Sequence, residues 1–278
     1  MSVDSQMSSQ HSFNNMLDLK EIKNLQLSIL KEIHNFCIEN DIQYSLAHGT
    51  LLGAVRHKGF IPWDDDIDIC LLEKDYELFM KSFSHPYLKA LCIENDTCCP
   101  FPYGKVYDNR TIAYEDAHIS YHFGVNIDIF PIYHYPDSRF AAAILRFKLF
   151  LLGWIHNIKI IKLSKHRHFL KNILLASLKI ICLPFCFSHV NRLIRQVCLA
   201  ADRTTSSQVF ETRSAQTVIY NAESFSGYDM MMFEGSYFKV MRGWDNYLSA
   251  RHGNYMKMPP RDQRVPHHNI AAHWKDEI

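Results

Sequence analysis

Apolar residues recur along the first half of the chain with two different periods. Between residues 17 and 39, Leu19, Ile22, Gln26, Ile29, Leu30, Ile33, Phe36 and Cys37 fall on one helical face, and all but Gln26 are apolar. Asn40-Asp41 breaks that pattern. Residues 42–47 then read as a short strand, with a turn at Gly49 into a short helix ending near Arg56. Gly59 and Pro62 mark a loop. From Asp66 to Leu71 polar and apolar residues alternate, so a strand here sets Asp66 and Asp68 on one face and Ile67 and Ile69 on the other. A surface helix is predicted over 73–83, an irregular stretch over 84–102, and strands over 104–108, 111–115 and 124–130. The last strand repeats the earlier design, with Asp128 between Ile127 and Ile129, and Pro131 is expected to end it.

Residues 139–200 change character and read as helical, apolar and basic. Polar, mixed composition returns at Asp202, and Pro259, Pro260 and Pro266 suggest an extended C-terminal segment. The fold class expected is α/β (α+β): a small mixed sheet carrying the acidic strands, helices around it, and a helical insertion. The division expected is a core over 1–138, an insertion over 139–201, and the rest of the core over 202–278.

Charge separates the insertion from everything else. Of 30 basic and 29 acidic residues in the chain, eleven basic and no acidic ones lie between Arg139 and Ala201. Such asymmetry points to a distinct surface role. Residues 172–190 are about long enough for a membrane span, but Ser177, Lys179, Pro184 and His189 count against one. Amphipathic helices lying on an anionic membrane surface are the favoured expectation, against a helical subdomain with its basic side toward solvent. The segment is too apolar for a nucleic-acid partner. The first fifteen residues are polar and do not resemble a secretory leader, so the eight cysteines are expected as reduced thiols in the cytoplasm. Their spacings are weak as zinc signals.

The chemistry centres on Asp66 and Asp68. Two carboxylates sharing a strand face repel unless a cation lies between them, and hard oxygen ligands suit Mg2+ or Mn2+. Asp128 on a neighbouring strand supplies a third carboxylate, and Asp64 has the same parity. Upstream, Gly49-Thr50 opens a turn into a helix, where backbone N–H groups can meet phosphate oxygens. Arg56 and Lys58 follow as diphosphate ligands, and Lys105 is a further one. Trp63 is placed to stack on a base or cap a cationic head group, with Tyr103, Tyr107 and Tyr247 as weaker partners. His48 and His57 read as structural.

The run Gly49-Thr-Leu-Leu-Gly-Ala-Val-Arg-His57, then Ile61-Pro-Trp-Asp-Asp-Asp-Ile-Asp68 and Asp75-Tyr76, closely resembles the LicD family. So do Asn126-Ile-Asp-Ile-Phe-Pro131, Trp244-Asp-Asn-Tyr-Leu248, Tyr255-Met-Lys-Met-Pro-Pro260 and His267-His268. Members of that family transfer phosphocholine from CDP-choline to sugars on a nucleotidyltransferase-like fold, and the related fukutin-like proteins move other phospho-alcohols. The resemblance implies a metal-dependent phosphotransferase. Its donor would be CDP-choline or another CDP-alcohol. Its acceptor would be a cell-surface glycan such as lipopolysaccharide, possibly lipid-linked, reached from the inner face of the membrane. It also implies Asp66, Asp68 and Asp128 as the catalytic and metal-binding set, with His268 facing phosphate or metal. Two other classes stay open: a nucleotidyltransferase moving the nucleoside monophosphate itself, and a non-catalytic membrane adaptor.

Overall fold

The computed structural model describes residues 16–114, 122–161, 168–183, 186–202, 206–213, 216–264 and 270–275. His267 and His268 lie outside them. Helix α1 (Leu19–Glu39) starts at a capping box, in which Asp18 accepts from the Glu21 N–H and Glu21 accepts from the Asp18 N–H. Its apolar stripe, Ile22, Ile29, Leu30, Ile33 and Cys37, is fully covered. Gln26, the polar exception on that stripe, is buried for a reason. Its side-chain amide donates to the carbonyls of Asp65 (3.1 Å) and Asn126 (3.4 Å), tying α1 to both acidic segments.

The sheet beside α1 contains β1 (Ser45–Leu46), β2 (Asp68–Leu72), β3 (Leu88–Leu91), β4 (Gly104–Asp108) and β6 (Asn126–His134) in the order β1-β2-β6-β4-β3. Strands β2 and β6 run parallel, and the other pairs are antiparallel. Ile67, Ile69, Ile127 and Ile129 all face the core. Helix α2 (His48–His57) joins β1 to the acidic loop, and α3 (Glu73–Ser82) follows β2. A separate pair, β5 (Thr111–Tyr114) with β11 (Ala271–Trp274), lies alongside.

Several expectations are corrected. The strand over 42–47 contracts to Ser45–Leu46, and the irregular stretch contains β3. Strand β2 begins at Asp68, so Asp66 precedes it. Pro131 does not end β6, which continues to His134. The Asp128 N–H donates toward β2, to the Ile67 carbonyl, and N–H direction alternates along a strand. At Pro131 the missing N–H therefore faces the other side. There the pairing with β4 stops at Ile129 and the pairing with β7 (Gln208–Arg213) starts at Tyr133. The proline falls in that gap, where no ladder bond is lost.

Strand β7 joins β6 and pairs with β8 (Gln216–Asn221). A hairpin of β9 (Tyr228–Phe233) and β10 (Ser236–Met241) follows, and then α7 (Trp244–His252).

The basic segment forms α4 (Arg139–Ile160), α5 (Phe169–Ile181) and α6 (Phe187–Ala201). The stretch 172–190 is thereby divided between two helices. Among the described residues one helix, over Arg139–Lys159, has the length and apolarity to cross a membrane, with 28% of its apolar window buried. Leu145 and Leu149 of α4 pack with Val190, Ile194 and Cys198 of α6 against Tyr133 and Phe210 of the sheet. Not all the basic residues face outward. Arg195 is buried, forms a two-pronged pair with Glu73 (2.5 and 2.6 Å), and donates to Glu94 and the Tyr133 hydroxyl.

His156 of α4 is also buried, with Nδ1 3.0 Å from Asn191 Oδ1 on α6. Burial lowers its pKa from 6.5 to about 4, against the opposing effect of the Asn191 bond. The unfolded chain therefore binds this proton first as pH falls, and the contribution to stability is lost as pH drops from 6.5 toward about 4. Thermal melts across this window are expected to show Tm falling more steeply for the wild type than for His156→Gln.

Candidate active site

The first turn of α2 and the start of β2 are clamped together. Ala47 donates its N–H to the Asp68 carbonyl (2.9 Å), and the Asp68 N–H donates to Thr50 Oγ1 (2.8 Å). Thr50 thus holds the Asp68 backbone. Gly49 is required by a different neighbour: a Cβ there would collide with the Asp64 carboxylate. Residues 64–67 form a loop that precedes β2. Asp64, Asp66 and Asp68 line one cleft, while the Asp65 carbonyl is taken by Gln26. One carboxylate oxygen from each of Asp64, Asp65 and Asp66 lies within 4.8 Å of the others.

Register brings in the remaining acid. Asp68 on β2 pairs with Asp128 on β6, and Asp128 pairs with Lys105 on β4. In-register neighbours on adjacent strands share a face, so the three form a row about 5 Å apart from strand to strand. Lys105 is 2% exposed and does not line the cleft. Its ammonium donates to Asp128 Oδ1 (2.5 Å) and Asn126 Oδ1 (2.9 Å) beneath the rings of Phe101 and Phe123. In this geometry it serves Asp128, where a phosphate ligand was expected.

His48 supplies the other side. It begins α2 with φ +46, in the left-handed region that non-glycine residues seldom adopt. Its Nδ1 lies 3.4 Å from Asp68 Oδ2, and its Nε2 lies 2.8 Å from both oxygens of Glu211 on β7. Glu211 also accepts from Arg251 Nη1 (3.0 Å) and the Tyr247 hydroxyl (3.3 Å). Tyr247 is buried against His48 and Tyr220, so it is no part of an aromatic cage. Neither Glu211 nor Arg251 sits in a motif. The only sequence signal for Glu211 is a lone acid inside an otherwise strand-like run.

The cleft holds about 610 Å3. Asp64, Asp66 and Asp68 line it, together with Trp63 and Arg56. Arg251 and His252 at the end of α7, and Tyr255 and Lys257 after it, also line the cleft. Arg56 donates from Nη1 to the Tyr255 carbonyl (3.0 Å), and its Nε–H has no acceptor among the described residues. Partial burial first, and the nearby Arg264 second, make Arg56 less basic than usual. Arg264 lies over the Trp63 ring, 5.5 Å from its centroid. His252 reaches solvent at the rim, yet desolvation and then Arg251, His48 and Arg56 lower its pKa, so it is neutral at pH 7. Lys58 is exposed and caps α2 in the left-handed conformation, away from the cleft.

Carboxylates and guanidinium groups lining one cleft suit a cation bound to a polyphosphate. Residues 41–149 match the family described as LicD/FKTN/FKRP, nucleotidyltransferase domain. The resemblance to the LicD family thus holds over residues 41–149. A lipopolysaccharide cholinephosphotransferase LicD of Haemophilus influenzae is 28% identical over 277 residues, covering 92% of this chain and 98% of its own. An uncharacterised Rickettsia typhi protein is 47% identical over 58 residues, covering 20% of this chain and 19% of its own. The LicD domain match ends within α4, so Glu211, Arg251 and Lys257 lie beyond it. The Haemophilus relative aligns across most of the whole chain.

The donor set fits a hard divalent cation, since every converging ligand atom is a carboxylate oxygen. Gly49→Ala is expected to displace Asp64 without unfolding the chain. Mn2+ affinity measured by calorimetry should weaken about 10–100-fold, as when a group orienting a metal ligand is lost. Affinity equal to wild type would remove Asp64 from the cation site.

Proposed function

We propose that the chain is a metal-dependent phosphotransferase that moves phosphocholine, or a related phospho-alcohol, from a CDP-alcohol to a glycan hydroxyl. One observation carries this reading: a single cleft is lined by three aspartates and by Arg56, Arg251 and Lys257. That is the charge pattern of a cation–diphosphate complex. The relative named for lipopolysaccharide cholinephosphotransfer supports the choline donor and the glycan acceptor.

Asp66 and Asp68 hold Mg2+ or Mn2+, with Asp64 beside them. Asp128, held by Lys105 and in register with Asp68, would be a further carboxylate of the set. When bound, the cation would offset negative charge on the diphosphate as the leaving group departs. Arg56, Arg251 and Lys257 bind the diphosphate oxygens, assisted by the first turn of α2 at Gly49 and Thr50. Trp63 stacks on the base or the choline head. The acceptor oxygen attacks the β-phosphorus, and the bond between that phosphorus and the CMP oxygen breaks. CMP leaves, and the hydroxyl proton passes to a carboxylate of the cluster. Glu211 and His48 touch no reacting atom; they position Asp68. The protein works in the cytoplasm, at the inner face of the membrane, on an acceptor that is glycan and lipid-linked.

Purified protein incubated with Mg2+, CDP-choline and cell-envelope glycan is expected to release CMP, read by chromatography. Asp66→Asn and Asp128→Asn should each lower kcat by at least about 100-fold, as expected when transition-state charge stabilisation is lost. Release of phosphocholine with CMP transferred to the acceptor would assign attack to the α-phosphorus instead, making this a nucleotidyltransferase. Binding of CDP-choline without turnover on any acceptor would leave an adaptor.

A further inference from the structure

Helix α4 is apolar on two sides, and only one is covered. Leu145 and Leu149 turn onto α6 and the sheet. Phe140, Ile144, Phe147, Leu151 and Trp154, spaced three or four residues apart, form a second stripe that is exposed, with Phe140 at 77% and Phe147 at 67%. Helix α5 repeats the arrangement: Leu175 packs on Ile158, while Phe169, Ile173 and Ile180 are open. The two helices are tied together at one end. Lys159 Nζ donates to the Cys182 carbonyl (3.1 Å), and Lys179 Nζ donates to the Lys159 carbonyl (3.0 Å). Large apolar side chains gathered on the outward faces of two adjoining helices mark an interaction surface and so call for an occupant.

Charge selects the occupant. Arg139, Arg146, Lys148 and Lys171 are exposed among these residues, and the whole stretch from Arg139 to Ala201 contains no acid. A second copy docking face to face would bring like charges together with nothing to balance them. A bilayer crossing by α4 would strip Leu145 and Leu149 from the core they share with Tyr133 and Phe210. An anionic phospholipid surface answers both features, with acyl chains for the rings and phosphates for the Arg and Lys side chains.

We propose that the outward faces of α4 and α5 dock the protein on an anionic phospholipid bilayer. This deepens the membrane placement given above and rests on that part of the reading alone. The test uses neither donor nor turnover, so either idea can fail without the other.

Full-length protein is mixed with sucrose-loaded vesicles of phosphatidylcholine, with and without phosphatidylglycerol, and sedimented. One variant combines Phe140→Ser, Phe147→Ser and Trp154→Ser; a second combines Arg146→Gln, Lys148→Gln and Lys171→Gln. Circular dichroism melts establish that both fold. The wild type is expected to sediment with the anionic vesicles and not with phosphatidylcholine alone, and each variant should bind about tenfold more weakly or worse. Equal binding by wild type and both variants would overturn the proposal, as would no binding by the wild type. A dimer in sedimentation velocity that the apolar variant abolishes, without vesicle binding, would give the face to a second copy. Resistance of the membrane-bound protein to alkaline carbonate extraction would make α4 a span and overturn surface docking.

Discussion

Carboxylates set side by side on neighbouring strands repel, and much of this chain is arranged to hold them there. The parallel pairing of β2 with β6 places Asp68 next to Asp128. Each then requires a balancing partner. Lys105, on the next strand, meets Asp128 and Asn126 among the rings of Phe101 and Phe123. His48 stands beside Asp68 in a strained backbone conformation and is itself held by Glu211, which Arg251 neutralises in turn. Removing one partner of such a buried set leaves a charge without compensation, which is why the arrangement is tightly constrained. The loop carrying Asp64 and Asp66 completes the concentration of negative charge, and a divalent cation is the natural counterweight.

The same logic explains how distant parts of the chain reach the site. Gln26 on α1 grips the carbonyls of Asp65 and Asn126, so the first helix sets the spacing of the acidic segments. Strand β7, arriving after the helical insertion, joins β6 just past Pro131 and delivers Glu211. Helix α7 then brings Arg251 over the acids and carries the chain on to Lys257. The insertion is anchored through the buried Arg195–Glu73 pair and the shared packing of α4 and α6. It is therefore tied to the sheet that bears the site while leaving a large apolar and basic face outside.

The local part of this was legible in the sequence. Alternation around Asp66-Ile-Asp68 and Ile127-Asp-Ile129 places the isoleucines inward, and they are buried. The α1 stripe gives that helix to within a residue or two at each end. Non-local features were not legible. Nothing in the run Val209-Phe-Glu-Thr212 shows that Glu211 meets a histidine 163 residues earlier. A proline that ends most strands is tolerated in β6, because its neighbours change on that side at that residue. Lys105 looked like a phosphate ligand for want of knowing that its register partner is Asp128. Arg195 counted toward a basic surface although it is an interior pair. Sequence period reports which way a side chain points, but not what a strand from elsewhere will set against it.

The central claim is that the carboxylate cluster holds a divalent cation against the diphosphate of a CDP-alcohol. The most direct measurement is 31P relaxation of CDP-choline in the presence of Mn2+ and protein, comparing wild type with Asp66→Asn and Asp68→Asn. The account predicts rapid relaxation of both phosphorus nuclei with wild type and its loss in either folded variant. Relaxation that is the same in all three proteins, or absent although CDP-choline binds, would contradict it.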